Sequence, residues 1–240
     1  MHDPIAAIAT APPGAHIGAF FDMDGTLVDG FTPAAHARHR IRNRQARFGE
    51  FVGIAEAALR YRFGRMQFDS LLTRAAGFLR GTELRELETV CEELFHRDIR
   101  HKVFDDMVGA VRAHQSAGHT VVLSSSALTI HAAPVARAFG IEHLICNSFE
   151  LDGRGRLTGA IQAPIIWGDV KAAAAVAFSH RHGIDLSRSY FYGDGEEELT
   201  LMHKVGNPRP VNPRRALATA AVEHGWPTLR PSRTTVSRSL

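Results

Sequence analysis

Ala19-Phe20-Phe21 is an apolar run that stops abruptly at Asp22-Met23-Asp24-Gly25-Thr26. A short aromatic run closed by a glycine predicts a buried strand that delivers its last side chains into a tight turn. From Phe31 to about Arg100 the periodicity changes. Ala35, Ile41, Phe48, Phe51, Val52, Ala55 and Leu59, then Phe68, Leu71, Leu72, Ala75, Phe78 and Leu79, recur at helical spacing with no alternating run among them. Gly81-Thr82-Glu83 predicts a break, with Thr82 capping a further helix that runs through Arg97. Beyond Arg100 short apolar runs and helical patterns alternate. A helix is expected over 105–115, a strand over 120–123 ending in Ser124-Ser125-Ser126, a helix over 134–139 and a strand over 143–146. A hairpin then turns on Asp152-Gly153-Arg154-Gly155, a helix runs over 171–182, and a strand over 189–192 ends in Gly193-Asp194-Gly195 and three glutamates.

Strands alternating with helices predict an α/β fold, a doubly wound and mostly parallel sheet with right-handed crossovers. In such sheets ligands sit outside the carboxyl ends of the strands. The Asp22/Asp24 pair, the serine cluster and Asp194 with its glutamates all fall at predicted strand ends. The helical block between the first two strands is too long for a crossover and reads as an inserted module. The layout expected is a core of residues 17–30 and 101–229, a helical insertion over 31–100, and flexible ends over 1–16 and 230–240.

Composition narrows the partners. With 45% hydrophobic and 22% charged residues the chain of 240 residues has an ordinary globular balance. A formal charge of +3 is too small to argue for nucleic acid. No apolar stretch approaches the roughly 20 residues of a membrane span. Met1 to His16 carries Asp3 and no basic region, so no signal peptide is read there. Cys91 and Cys146 offer neither a disulfide framework nor a zinc spacing, which makes a reducing, cytoplasmic setting the expectation. Arg38, Arg40, Arg42, Arg44 and Arg47 crowd one end of the insertion. They can collect an anionic substrate or form a solvated face paired with acidic neighbours, and the second reading is favoured. His36 and His39 lie among them with no Cys, Asp or Glu at ligand spacing, so both are expected at the surface. The residues assign no oligomeric state.

The chemistry begins with Asp22 and Asp24. Two apart on a strand, their side chains share a face, and carboxylates so close stay ionised together only when a cation compensates them. Mg2+, a hard cation that takes oxygen ligands, meets that need. The plainer alternative is that Asp24-Gly25 is only turn chemistry.

Taken together, Asp22-Met23-Asp24-Gly25-Thr26 after an apolar strand, the serine pair Ser124-Ser125, Lys171 at a helix start and Asp194 in Tyr192-Gly193-Asp194-Gly195 resemble the haloacid dehalogenase-like phosphohydrolases. The likeness is to the phosphoserine-phosphatase-like branch, whose core carries an inserted helical cap, and it spans almost the whole chain. It implies Asp22 as nucleophile, Asp24 as general acid and base, and Gly25 and Thr26 shaping the loop. Ser125, with Ser124 as the adjacent candidate, and Lys171 would hold phosphate. Mg2+ would be held by Asp22, Asp24 and Asp194, with Glu198 in support. The implied activity is hydrolysis of a small phosphorylated metabolite through an aspartyl phosphate. Two positions depart from the pattern. Glu198 stands where a second aspartate is common, and Phe31 stands nine residues after Asp22, where phosphoserine phosphatases resemble one another in carrying a glutamate for the substrate's ammonium. An apolar ring cannot pair with an ammonium by charge, so free phosphoserine is not the expected substrate. Arg74 is the cap residue offered for the leaving group, a solvated arginine being the equal alternative. The same residues also allow phosphotransfer to another acceptor, or a catalytically weak phosphate-binding module.

Overall fold

The computed structural model describes residues 8, 11–43, 56 and 67–231. Strand β1, Gly18–Phe21, is buried along its length. Between it and β2 (Thr120–Leu128) the described residues form helices α1 (Pro33–Arg42), α2 (Phe68–Gly77), α3 (Leu84–Leu94), which runs on through a π-turn at Phe95–Ile99, and α4 (Asp105–Ser116). After β2 come α5 (Thr129–Phe139), β3 (His143–Asn147), the hairpin β4 (Phe149–Leu151) and β5 (Leu157–Ile161), and α6 (Gly168–His182). The chain closes with β6 (Tyr190–Gly193), α7 (Leu199–Met202), β7 (Asn207–Pro210) and α8 (Arg215–Glu223).

Five strands make one sheet in the order β3-β2-β1-β6-β7, and every neighbouring pair is parallel. A parallel sheet must be covered on both faces, and the alternation along β1 divides the core accordingly. Phe21 packs with Leu123 and Tyr192 against apolar residues of α4 and α5. Phe20 packs with Val122 and Phe191 against α6, α7 and α8. The expected doubly wound α/β fold is therefore present. A smaller cluster joins Ala76, Leu79, Leu87 and Cys91 from the 31–100 block to Phe149 and Leu157 of the hairpin.

Several local readings need correction. The serines lie inside β2, because β3 pairs alongside as far as Leu128↔Asn147 and the Asn147 amide donates to the Ser126 carbonyl at 2.7 Å. Helix α5 begins at Thr129 and carries Pro134 internally; burial of its apolar face outweighs the backbone bond that proline cannot donate. Thr82 caps nothing. Glu83 occupies the N-cap of α3 without a side-chain bond, because the Gly81-Thr82 backbone is bonded to Leu157 instead. His36 and His39 are both buried rather than at the surface. The segment 11–16 is held to the core, with the Gly14 amide donating to the Ala117 carbonyl and the Thr120 hydroxyl donating to the Ala15 carbonyl. Arg44, Arg47 and the apolar positions from Phe48 to Leu59 lie outside the described residues, as does 232–240.

Beneath the sheet a buried polar relay runs from Tyr192 through His114 and His119 to Pro12. His119 Nε2 lies 3.0 Å from the Pro12 carbonyl, which can only accept, so the proton sits on Nε2. His119 Nδ1 then accepts from His114 Nδ1 at 2.7 Å, and His114 Nε2 accepts from the Tyr192 hydroxyl at 2.9 Å. Burial, with the charges of His119 and Arg209 adding, pulls His114 from its ordinary 6.5 down to about 3. Between those values the unfolded chain binds a proton that the folded chain refuses. Stability is thus whole above about pH 6.5 and falls as the pH drops, by about 1.4 kcal/mol per unit for this one group. Urea unfolding followed from neutral to mildly acid pH is expected to show that slope, reduced by about one proton in His114→Gln; an unchanged slope in the variant would remove His114 as its source.

Candidate active site

Asp22 follows β1 directly, and its amide donates to the Tyr192 carbonyl at 2.8 Å, extending the β1–β6 ladder by one residue. The carboxylate is therefore delivered at the carboxyl end of the central strand, where the chain has gone to β2 on one side and β6 on the other. Lys171, in the first turn of α6, is 1% exposed. Its Nζ donates to Asp22 Oδ1 and to Glu198 Oε1, each at 2.8 Å. Burial alone would push this lysine down, but the charges of Asp22 and Glu198 more than reverse that and hold it above the usual lysine range. Burial pushes Glu198 up, with Lys171 opposing. Its second oxygen, Oε2, is buried and has no hydrogen-bond partner.

Asp24 is held from the other side. Thr32, just before α1, donates its amide to Oδ1 at 2.9 Å and its hydroxyl to Oδ2 at 3.3 Å. Burial pushes Asp24 up to about 7 against the Thr32 amide bond, and the charges of Asp22 and Asp194 add to it. Burial and then Asp22 push Asp194 up to about 6, with Arg214 opposing; Arg214 Nε stands 3.4 Å from Asp194 Oδ2 and its guanidinium also pairs with Glu197. Gly25 has φ +83°, and a Cβ there would lie 2.5 Å from Asp194 Oδ2. Only glycine lets the Asp24 turn close against Asp194. Asp22, Asp24, Asp194, Lys171 and Glu198, drawn from three parts of the chain, thus share one site.

Thr26 and Ser124 are fully buried with hydroxyls that lack partners. Ser125 Oγ accepts from the Ala127 amide at 3.2 Å. The β1–β2 register ends at Phe21↔Leu123, which brings the serine pair alongside Asp22-Met23. Phe31 is 67% exposed. Arg74 is half exposed and pairs with Glu56 at 3.3 Å. Sequence reasoning missed Thr32 and Arg214. A Thr-Pro step opening a helix was a legible signal for the first, as an N-cap. Arg214 carried none, since it reaches Asp194 only through the β7–α8 connection.

Carboxylates and a lysine gathered at the carboxyl ends of a doubly wound sheet stand where α/β proteins of this architecture bind their ligands. Residues 19–203 match the family described as haloacid dehalogenase-like hydrolase, and the chain belongs to that family. Its relatives include phosphoserine phosphatase SerB1 of Mycobacterium tuberculosis, 27% identical over 233 residues that cover 94% of this chain and 75% of the relative. Histidinol-phosphatase of Neisseria meningitidis is 27% identical over 215 residues, covering 88% of this chain and 97% of the relative. The crystal structure of a Bordetella pertussis protein of unknown function superposes with a TM-score of 0.81 at 28% identity, covering 89% of this chain and 98% of that one. Among the described residues no helix is long and apolar enough to cross a membrane.

The buried Asp22–Lys171–Glu198 group dictates one stability result. Removing the cation leaves two buried carboxylates unpaired, so Lys171→Met is expected to cost about 3 kcal/mol in chemical denaturation without divalent cations. Burial already favours the protonated form of Glu198, so the folded variant takes up a proton as the pH falls and the deficit shrinks in acid. A deficit that is absent, or that grows in acid, would contradict this account of the lysine.

Proposed function

We propose that the chain is a Mg2+-dependent phosphomonoesterase acting on a small organic phosphate through an aspartyl phosphate on Asp22. The observation that carries this reading is the Asp22–Lys171–Glu198 group at the end of the central strand, with Asp24 and Asp194 beside it. The relatives named phosphatases support the reaction class.

The donor set fits a hard divalent cation. Asp22, Asp24 and Asp194 bring three carboxylates together, with Lys171 beside Asp22 and Arg214 beside Asp194. Glu198 keeps one of its oxygens on Lys171. Oxygen donors with surplus negative charge suit Mg2+, which Asp22, the Asp24 carbonyl and Asp194 would hold, Glu198 supporting through its second oxygen. When bound it supplies the charge neutralisation that lets a dianionic phosphate approach a carboxylate.

The remaining work belongs to side chains. Asp22 attacks phosphorus through a carboxylate oxygen, and the bond from phosphorus to the ester oxygen breaks. Asp24, oriented by Thr32, gives its proton to the departing alkoxide. A water then attacks the aspartyl phosphate, Asp24 takes the water's proton, and the bond from phosphorus to Asp22 breaks to release inorganic phosphate. Lys171 and a hydroxyl of the Ser124–Ser125 pair hold the other phosphate oxygens, since phosphoryl transfer asks chiefly for position and charge. The residues of 31–100 form the cap that shapes the leaving-group pocket, with Arg74 offered from it. Phe31 presents an exposed ring rather than a carboxylate, so a free amino-acid ammonium has no charge to meet there.

Hydrolysis of p-nitrophenyl phosphate is expected with Mg2+ and not with EDTA. Asp22→Asn should abolish turnover, and Asp24→Asn should lower it by about 10²- to 10⁴-fold. Turnover by Asp22→Asn equal to the parent would remove Asp22 as nucleophile. Across a panel of phosphorylated metabolites, phosphoserine is expected to rank below the preferred substrate; selective, rapid hydrolysis of phosphoserine would overturn the argument from Phe31.

A further inference from the structure

Away from the carboxylates, three side chains from three helices converge on one buried point. His36 comes from α1, Cys91 from α3 and His131 from α5, and a ligand atom of each lies within 4.8 Å of those of the other two. His36 Nδ1 and His131 Nε2 are 3.2 Å apart. Two imidazole nitrogens bound to one tetrahedral zinc stand about 3.3 Å apart, from Zn–N bonds of roughly 2.0–2.1 Å. Thr32, His36, Cys91 and His131 line a cavity of about 20 Å³ with Leu94 and Phe95. That is room for about one water or one ion.

A hydrogen bond between two neutral imidazoles puts one proton between His36 Nδ1 and His131 Nε2 and leaves the Cys91 sulfur beside them outside it, whereas a single cation takes a donor atom from each of the three. We propose that His36, Cys91 and His131 form a second metal site, one that takes a borderline-soft divalent cation such as Zn2+ and joins α1 and α3 to α5. Two imidazoles and a thiolate select against Mg2+, which prefers oxygen donors. The site is thus chemically separate from the carboxylate cluster.

Protonation states agree with this. Burial pulls His36 down to about 4, with Arg40 and His39 adding, and pulls His131 to about 3, with His36 adding. Both rings are neutral at pH 7 and offer lone pairs. Burial pushes the Cys91 thiol up to about 12, so it is protonated without a cation. Binding therefore replaces the thiol proton with a sulfur–metal bond and releases one proton to solvent. The Arg40 charge that disfavours imidazolium also opposes a dication, and the new thiolate offsets it. Among the described residues no fourth His, Cys, Asp or Glu joins the group, so a water from the cavity completes four-coordination. Thr32 both lines this cavity and holds Asp24, so an ion here would anchor the helix that begins at that contact.

The test is spectroscopic. The full chain, stripped with a chelator and kept in excess Mg2+, is titrated with Co2+. One Co2+ per chain is expected, with a thiolate-to-cobalt charge-transfer band in the near ultraviolet and visible bands of tetrahedral intensity, all displaced by one equivalent of Zn2+. Cys91→Ser should abolish the charge-transfer band, while Cys146→Ser should leave it unchanged. His131→Gln should weaken Co2+ binding by more than the roughly 100-fold that marks the upper end of losing an outer-shell partner. Absence of a thiolate band in the unmutated chain would overturn the proposal without recourse to any variant, as would a band that survives Cys91→Ser. Neither result depends on phosphatase activity, so this site and the catalytic reading stand or fall separately.

Discussion

The lysine buried between Asp22 and Glu198 is the interaction on which the rest of the site depends. An ammonium and two carboxyl groups at this depth would each be costly alone. Together, with both Nζ contacts at 2.8 Å, they hold the carboxyl group at the end of β1 in place. The lysine comes from the first turn of α6 and the glutamate from the turn after β6, so the trio also ties one helical layer to the sheet edge. Glu198 stands where the family resemblance favours an aspartate. One of its oxygens reaches Lys171 while the other is buried without a hydrogen-bond partner.

Topology explains why these groups meet. β1 is the middle strand, and the chain reaches β2 on one flank and β6 on the other. That opens a crevice at the carboxyl end of β1, which is where such sheets bind ligands. The close approach of Gly25 to Asp194 narrows the crevice, and there burial, with the charge of Asp22 adding, raises Asp24 and Asp194. Thr32 closes it from the side of α1. The same short segment thus connects the turn that carries Asp22 and Asp24 to the helical block, and one turn farther along α1 lies His36, facing Cys91 and His131. Two groups of different donor chemistry, oxygen-rich and nitrogen–sulfur, are linked through one threonine.

Much of the fold was legible in the sequence because both faces of a parallel sheet must be covered. The short apolar runs, each closing in polar residues, and the helices between them gave away the doubly wound order and the strand ends at which Asp22, the serines and Asp194 fall. Boundaries were read less well. Ser124 to Ser126 belong to β2 because β3 lies alongside, and α5 accepts Pro134 because its apolar face is buried; both effects come from neighbours remote in sequence.

What the sequence determined by itself was the set of chemical groups and their order, since a carboxylate at a strand end is a local fact. What only the tertiary structure decided was partnership: Lys171 with both Asp22 and Glu198, Arg214 with Asp194, Thr32 with Asp24. His36 shows the limit most plainly. Without a ligand at local spacing it read as a surface histidine, yet packing of α1 on α3 and α5 buries it beside a cysteine and a second histidine. Burial and the distance between side chains on different helices are properties of the packed chain, and residue spacing along one strand or helix carries no record of them.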